Sequence, residues 1–117
     1  MIVSVDFDGV LHSGEYPKIG IASADAVNYM RKIAENGHYI IINTCRNGDL
    51  LVDAVNFLLN AGIPFNRVND NCPYNMAKYG SNTRKIYADL YIDDHNVGGL
   101  PSWEEIYKYI EKLEKKY

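Results

Sequence analysis

The sequence predicts an α/β fold, a three-layer, Rossmann-like domain in which a parallel sheet lies between helices on both faces. Two observations predict it. Apolar runs of strand length alternate along the chain with segments of helical periodicity. The connections between these runs are long enough for the right-handed crossovers of a parallel sheet. With 117 residues, the chain is expected to form one domain, residues 1–117.

Four short runs predict the strands. Residues 2–5 and residues 39–42 are apolar runs, which are typical of central strands buried on both faces. Residues 66–69 form a weaker third strand. In residues 88–92, aliphatic side chains alternate with an aspartate and a tyrosine, so we expect this strand at or near the edge of the sheet.

Three segments carry apolar side chains at helical spacing, and they are residues 23–35, 49–59 and 102–115. Ser23 and Ser102 stand at the start of the first and third segments, where a hydroxyl caps the first turn. Glycines follow the first two segments and are expected to end those helices.

Composition excludes several classes of protein. The chain is 47% hydrophobic and 23% charged, as in globular domains, and its net charge of -3 does not indicate a nucleic-acid surface. It contains no apolar run of membrane-spanning length and no signal-peptide pattern, so we expect no membrane partner. Cys45 and Cys72 are too few for a disulfide framework, which favours a cytoplasmic protein.

Polar side chains cluster where the predicted strands end. Parallel sheets bind ligands at the carboxyl ends of their strands, so one rim is expected to gather Asp6, Asp8, Thr44, Lys85, Asp93 and Asp94. Four carboxylates this close would repel one another strongly in a partly desolvated site. A bound divalent cation relieves that repulsion, and an all-oxygen ligand set favours Mg²⁺.

These segments resemble the four ordered motifs of the haloacid dehalogenase (HAD) superfamily. Residues 5–10 (VDFDGV) resemble the first motif, an Asp-x-Asp-Gly pattern after a strand. Residues 40–44 (IIINT) resemble the second, a strand that ends in a threonine, and residues 91–94 (YIDD) resemble the fourth, a strand that ends in paired acids. Lys85 matches the third motif, with Lys78 as the competing lysine. The resemblance covers residues 2–94 and implies a HAD-like fold.

The resemblance implies a phosphatase that works through an aspartyl-phosphate intermediate. Asp6 would attack phosphorus, and Asp8 would protonate the leaving group and then activate water. Thr44 would donate a hydrogen bond to a phosphoryl oxygen, and Lys85 would stabilise the developing charge. Arg46, two residues after Thr44, is a candidate contact to the substrate, with an ordinary surface arginine as the alternative.

The resemblance also implies a magnesium site. Asp93 would bind Mg²⁺ together with the carboxylate of Asp6 and the backbone carbonyl of Asp8. Asp94 would bind the ion directly or orient its ligands. The predicted cofactor is therefore Mg²⁺ held by Asp6, Asp8, Asp93 and Asp94.

The intervals between the motifs leave no room for the cap domain that many members of this superfamily carry. Specificity would then come from the loop at residues 11–21, the loop at residues 70–81 or another chain. An open site suits a large phosphorylated substrate, or a small one covered by a second copy of the chain in a homo-oligomer. Phosphorylated nucleic-acid ends therefore stay among the candidate substrates.

Three other functions compete with this prediction. Dehalogenation is disfavoured because Asp8 occupies the acid/base position of phosphoryl-transfer members. A receiver-like signalling module would use Asp70, after the third strand, as its phosphoacceptor. A catalytically silent binding protein on the same fold is the third alternative, since a fold does not guarantee an activity.

Several residues have no predicted role in the chemistry. The three histidines, at positions 12, 38 and 95, show no metal-ligand spacing. Cys45 is predicted to be a small buried residue. Residues 71–75 lack helical periodicity and are predicted to be a loop that forms part of the site's wall.

Overall fold

The computed structural model of the protein describes residues 1–116. Eight elements follow one another along the chain: β1 (Ile2–Asp6), α1 (Ala24–Glu35), β2 (Tyr39–Asn43), α2 (Gly48–Ala61), β3 (Arg67–Val68), α3 (Pro73–Tyr79), β4 (Leu90–Ile92) and α4 (Trp103–Glu114). The four strands form one sheet in the order β3-β2-β1-β4, and every neighbouring pair is parallel. The predicted α/β fold is confirmed.

The two apolar runs form the centre of the sheet and the alternating run forms an edge, as predicted. Both outer strands are shorter than predicted because side chains replace part of their ladders. At the start of β4, the carboxylate of Asp89 accepts a hydrogen bond from the backbone N–H of Ile2 at 2.7 Å. At the start of β3, the amide oxygen of Asn66 accepts one from the N–H of Ile40 at 2.8 Å.

The main core lies on one face of the sheet. That face carries alternate residues of the strands, and α1, α2 and α4 pack on it. The fully buried members of this core include Val3, Val5, Met30, Ile33, Ile40, Leu58 and Ile110. Because three helices share one face, the hydrophobic core is nearly all on that side of the sheet, and the other side is free to carry polar side chains.

The second face carries Ser4, Ile41 and Tyr91, which are paired in register on the three neighbouring strands. The crossover from β3 to β4 leads back across the sheet, so a right-handed connection places α3 on this face. The hydroxyl of Tyr91 donates to the carbonyl of Ile86 at 2.5 Å and accepts from the N–H of Ala88 at 3.1 Å. Helices α1, α2 and α4 therefore cover one face of the sheet, and α3 with the segment before β4 covers the other, which gives three layers.

Helix α3 corrects one prediction, since part of it lies in the segment predicted to be a loop. Pro73 stands at the first turn, where its fixed φ suits a helix and its missing N–H is not needed. Gly80 ends the helix in the left-handed conformation with φ 71°. With seven residues, the helix is too short to show the periodicity that reveals longer helices.

The predicted caps are confirmed. The Ser23 hydroxyl accepts a hydrogen bond from the N–H of Ala26, and the Ser102 hydroxyl accepts one from the N–H of Glu105. Gly62 ends α2 with φ 68°. Within the described residues, the helices are too short or too polar for any of them to cross a membrane.

Candidate functional site

Three carboxylates meet at the carboxyl ends of β1 and β4. The two strands are neighbours in register, with Val5 beside Ile92, so Asp6 and Asp93 follow side by side. One carboxylate oxygen from each of Asp6, Asp93 and Asp94 lies within 4.8 Å of the other two. We call these three residues the acidic cluster. It confirms that the sheet brings the first and fourth motifs together.

The acidic cluster is electrostatically unfavourable by itself. Burial, a hydrogen bond with Asp94 and the charge of Asp93 raise the pKa of Asp6 to about 8. One carboxylate oxygen of Asp94, Oδ1, is buried and has no hydrogen-bond partner among residues 1–116. Unpaired buried oxygens are costly unless a donor or a cation satisfies them. The donor set therefore fits a hard divalent cation such as Mg²⁺.

Gly9 allows the acidic cluster to form. Its φ is +80°, and a Cβ built at this position would lie 2.1 Å from Oδ2 of Asp94. Only glycine tolerates both the left-handed backbone and this contact. The turn is also fixed by hydrogen bonds, because the N–H of Phe7 donates to Oδ1 of Asp6 at 2.9 Å and the N–H of Leu11 donates to the carbonyl of Phe7 at 3.0 Å.

The side chain of Asp8 does not join the acidic cluster. The guanidinium of Arg46 binds it through both carboxylate oxygens, with Nε 2.9 Å from Oδ2 and Nη2 2.8 Å from Oδ1. Nε2 of His12 lies 2.7 Å from the same Oδ1. Hydrogen bonds from Arg46, and secondarily from His12, lower the pKa of Asp8. The expectation that four carboxylates meet is therefore wrong for the side chain of Asp8, because Arg46 and His12 hold it outside the acidic cluster.

Arg46 is neither an exposed surface arginine nor free to approach a substrate. It is 2% exposed, and its guanidinium lies between the rings of Phe7 and Tyr16, 5.2 Å and 5.1 Å from their centroids. Nη2 also donates to the carbonyl of Pro17 at 3.1 Å. Arg46 thus joins the end of the second motif to Asp8 and to the loop that follows the first motif.

His12 is a site residue that the sequence analysis missed. Its ring is buried and packs against Phe7, with 4.8 Å between ring centroids. The only signal in the sequence is the four-residue spacing from Asp8, which brings the two side chains together when the turn after β1 is helical in form. Metal-ligand spacing does not reveal His12, because its partners are the carboxylate of Asp8 and the backbone N–H groups of Gly14 and Gly20.

Thr44 follows β2 one position beyond Asn43, which is the register partner of Asp6. Its N–H donates to the side-chain oxygen of Asn69 at 2.7 Å, and its hydroxyl accepts the N–H of Arg46 at 3.1 Å. Thr44 therefore lies on the predicted rim. Cys45 is exposed rather than buried, because it lies in the turn beyond the strand where no element covers it.

The two candidate lysines stay outside the acidic cluster. Both are exposed, with the Nζ of Lys85 5.5 Å from the ring centroid of Tyr91 and the Nζ of Lys78 5.3 Å from that of Tyr79. Among residues 1–116, neither lysine forms an ion pair with a carboxylate. Lys78 lies in α3, whereas Lys85 lies between α3 and β4, so Lys85 is nearer in sequence to residues 91–94.

Asp70, the phosphoacceptor of the receiver alternative, lies in a separate network. Its Oδ2 is 2.6 Å from Nη2 of Arg67, and its Oδ1 accepts hydrogen bonds from the N–H of Asn71 and the side chain of Asn82. These partners tie the end of β3 to the segment that precedes β4. Both oxygens of Asp70 are thus engaged in holding the chain together.

Comparison with known proteins places the chain beside one solved structure. No family model and no curated protein matches the sequence. A solved structure of a conserved protein coded by a locus from Bacteroides thetaiotaomicron is 35% identical, with a TM-score of 0.85. The match covers 97% of this chain and 91% of that one. The chain therefore belongs to the same protein family as this conserved Bacteroides protein.

Proposed function

We propose that the protein is a magnesium-dependent, HAD-type phosphatase that hydrolyses a phosphate monoester through an aspartyl-phosphate on Asp6. The observation that carries the proposal is the acidic cluster, whose three carboxylates lie within 4.8 Å of one another beside the Asp-x-Asp-Gly turn. Asp8 lies two residues from Asp6 and has its own partners, the guanidinium of Arg46 and the imidazole of His12. A purely structural role explains neither the concentration of like charge nor the unpartnered oxygen of Asp94.

The acidic cluster supplies the ligands for the cation. Asp93 and Asp6 would each give a carboxylate oxygen, Asp94 would bind or orient the ion, and the backbone carbonyl of Asp8 would complete the protein's share. When bound, Mg²⁺ neutralises the carboxylates and draws charge from the phosphoryl oxygens. Asp6 is then ionised at neutral pH and can act as a nucleophile.

Asp6 carries the covalent chemistry. One of its carboxylate oxygens attacks phosphorus while the bond from phosphorus to the leaving-group oxygen breaks, giving an acyl phosphate and an alcohol. Water then attacks phosphorus, the bond to Asp6 breaks, and inorganic phosphate leaves. The N–H of Phe7 already donates to Oδ1 of Asp6 at 2.9 Å, which fixes the orientation of this carboxylate.

Neighbouring groups complete the proposed site. Asp8 would enter the cycle protonated and give its proton to the departing alcohol, and the carboxylate that remains, stabilised by Arg46, would then take a proton from the water that attacks the acyl phosphate. The hydroxyl of Thr44 donates to a phosphoryl oxygen, and Lys85 adds positive charge once its side chain turns towards the rim. The open rim above the strands admits substrates without a cap domain, including a phosphorylated macromolecule.

The first test is hydrolysis of p-nitrophenyl phosphate with and without Mg²⁺. We expect turnover that needs Mg²⁺ and that falls by about 10³-fold or more in Asp6→Asn, because the nucleophile is removed. Asp25→Asn is the matched control, since Asp25 is an exposed carboxylate in the first turn of α1. Its activity should equal that of the wild type.

The outcomes separate the proposal from its alternatives. Equal activity of the wild type and Asp6→Asn, or no hydrolysis of any monoester tried, would contradict a phosphatase. A stable phosphoryl group on Asp70 after incubation with acetyl phosphate would support the receiver alternative instead. Binding of Mg²⁺ without turnover would support a silent binding protein.

A further inference from the structure

We propose that Arg46 and His12 are positioning residues that hold the carboxylate of Asp8 in one orientation for proton transfer. The inference rests on the proposed function and assigns Arg46 a different role from the substrate contact that the sequence predicts. It predicts that losing Arg46 slows the chemistry and leaves substrate binding nearly unchanged. The two roles therefore differ in a measurable way.

The geometry leaves Asp8 one free direction. A carboxylate has about four lone-pair sites, two on each oxygen. Oδ1 receives Nη2 of Arg46 at 2.8 Å and Nε2 of His12 at 2.7 Å, and Oδ2 receives Nε of Arg46 at 2.9 Å. Among residues 1–116, the second lone pair of Oδ2 is the site that remains, so we infer that Asp8 exchanges protons through Oδ2.

Arg46 is itself immobilised, which makes it suitable for positioning and poor for capturing phosphate. Nη2 donates to Pro17 as well as Asp8, and Nη1 is 3.4 Å from the carbonyl of Leu50. With Nε also engaged, four of the five N–H groups have acceptors. Turning the guanidinium towards a substrate would break all of these bonds and leave Asp8 without its cation.

His12 fixes the arrangement from the opposite side. Its Nδ1 accepts the backbone N–H groups of Gly14 at 3.0 Å and Gly20 at 3.1 Å, so Nδ1 carries a lone pair and Nε2 carries the proton that it donates to Asp8. A Cβ added to Gly14 would lie 2.3 Å from the backbone N of Gly20. Gly14 and Gly20 therefore lie against each other at the two ends of the loop, and their N–H groups hold the imidazole that orients Asp8.

The first test is kinetic. We expect Arg46→Ala to lower kcat for p-nitrophenyl phosphate by about 30-fold, with KM and the half-saturating Mg²⁺ concentration changed by less than about threefold. Guanidinium at about 50 mM, far below denaturing concentrations, should restore much of kcat by filling the vacated site. Arg31→Ala is the matched control, because Arg31 is an exposed arginine that donates to the carbonyl of Gly62. It should show neither the loss nor the rescue.

Three outcomes of this test would overturn the proposal. A kcat within threefold of the wild type would show that Asp8 needs no such partner. A rise in KM with kcat unchanged would support the other role of Arg46, the substrate contact predicted from the sequence. A folded variant whose lost activity guanidinium does not restore would also contradict positioning.

A second measurement does not depend on activity or on the folding of a variant. Long-range ¹⁵N–¹H spectra of the wild type at neutral pH report which ring nitrogen of His12 is protonated. We expect the neutral form with the proton on Nε2, and a proton on Nδ1 would contradict the arrangement. If no monoester is hydrolysed but His12 has the expected form, the phosphatase proposal fails while the geometry around Asp8 stands.

Discussion

Asp6 and Asp8 stand two residues apart on one turn, yet the structure gives them opposite surroundings. Asp6 is partly buried among Asp93 and Asp94, and its pKa is raised to about 8. The Arg46 guanidinium beside Asp8 lowers the pKa of that carboxyl. One short turn can therefore hold two carboxylates with opposite pKa shifts, because their neighbours rather than the motif set their affinity for protons.

In the metal-free protein, the raised pKa of Asp6 should make the free energy of unfolding depend on pH. Because the folded pKa of Asp6 lies above its ordinary value of 3.8, the folded state binds more protons than the unfolded state between about pH 4 and pH 8. The free energy of unfolding therefore falls as pH rises through this window, by an amount on the order of 3 kcal/mol once the full shift is discounted by about half for solvent screening of this partly exposed carboxylate. Urea denaturation across this pH range in the presence of a chelator measures the fall.

Asp6→Asn is the matched variant for this fall, since it keeps the shape and removes the titration. We expect it to flatten the pH dependence and to be more stable than the wild type at pH 8 without metal. Adding Mg²⁺ at pH 8 should stabilise the wild type and should have a much smaller effect on the variant. An equally steep fall in both proteins would remove the basis for treating the acidic cluster as strained.

The contribution of Asp8 to the free energy of unfolding should change with pH in the opposite direction and by a smaller amount. Its folded pKa lies below the ordinary value, so its stabilising interaction is present above about pH 4 and is lost as pH falls through the folded pKa. Asp8→Asn is expected to cost about 1 kcal/mol at pH 6, because the carboxylate is partly exposed and its pairing is screened. Denaturation at pH 6 and below pH 3 measures it. A variant as stable as the wild type at pH 6 would count against a functional pair with Arg46.

The sequence predicts the sheet well because its signals are local. The apolar runs that became β1 and β2 and the alternation that became β4 each need only their own residues to be recognised. Helix α3 escaped prediction because seven residues around Pro73 cannot display a helical period. The acidic cluster was predictable because parallel strands bring their carboxyl ends to one rim.

The partners of Asp8 were beyond local reasoning. Arg46 is 38 residues away from Asp8, and its burial depends on the path of the loop that places Tyr16 and Pro17 against it. A buried arginine is rare in proteins, so the sequence pattern favours an exposed or substrate-binding residue. For Lys85 the sequence predicts a position in the site from a motif, but sequence alone does not show that the side chain lies over the ring of Tyr91.

In the proposed mechanism, Asp6 is the residue that bonds to phosphorus, at a site that holds a cation. Beryllium trifluoride forms a stable mimic of an acyl phosphate on a reactive aspartate, so a crystal structure of the protein with Mg²⁺ and beryllium trifluoride tests the claim directly. We expect beryllium bonded to a carboxylate oxygen of Asp6 and Mg²⁺ contacted by Asp93. Beryllium on Asp70, or a carboxylate of Asp6 that contacts neither species, would contradict the account.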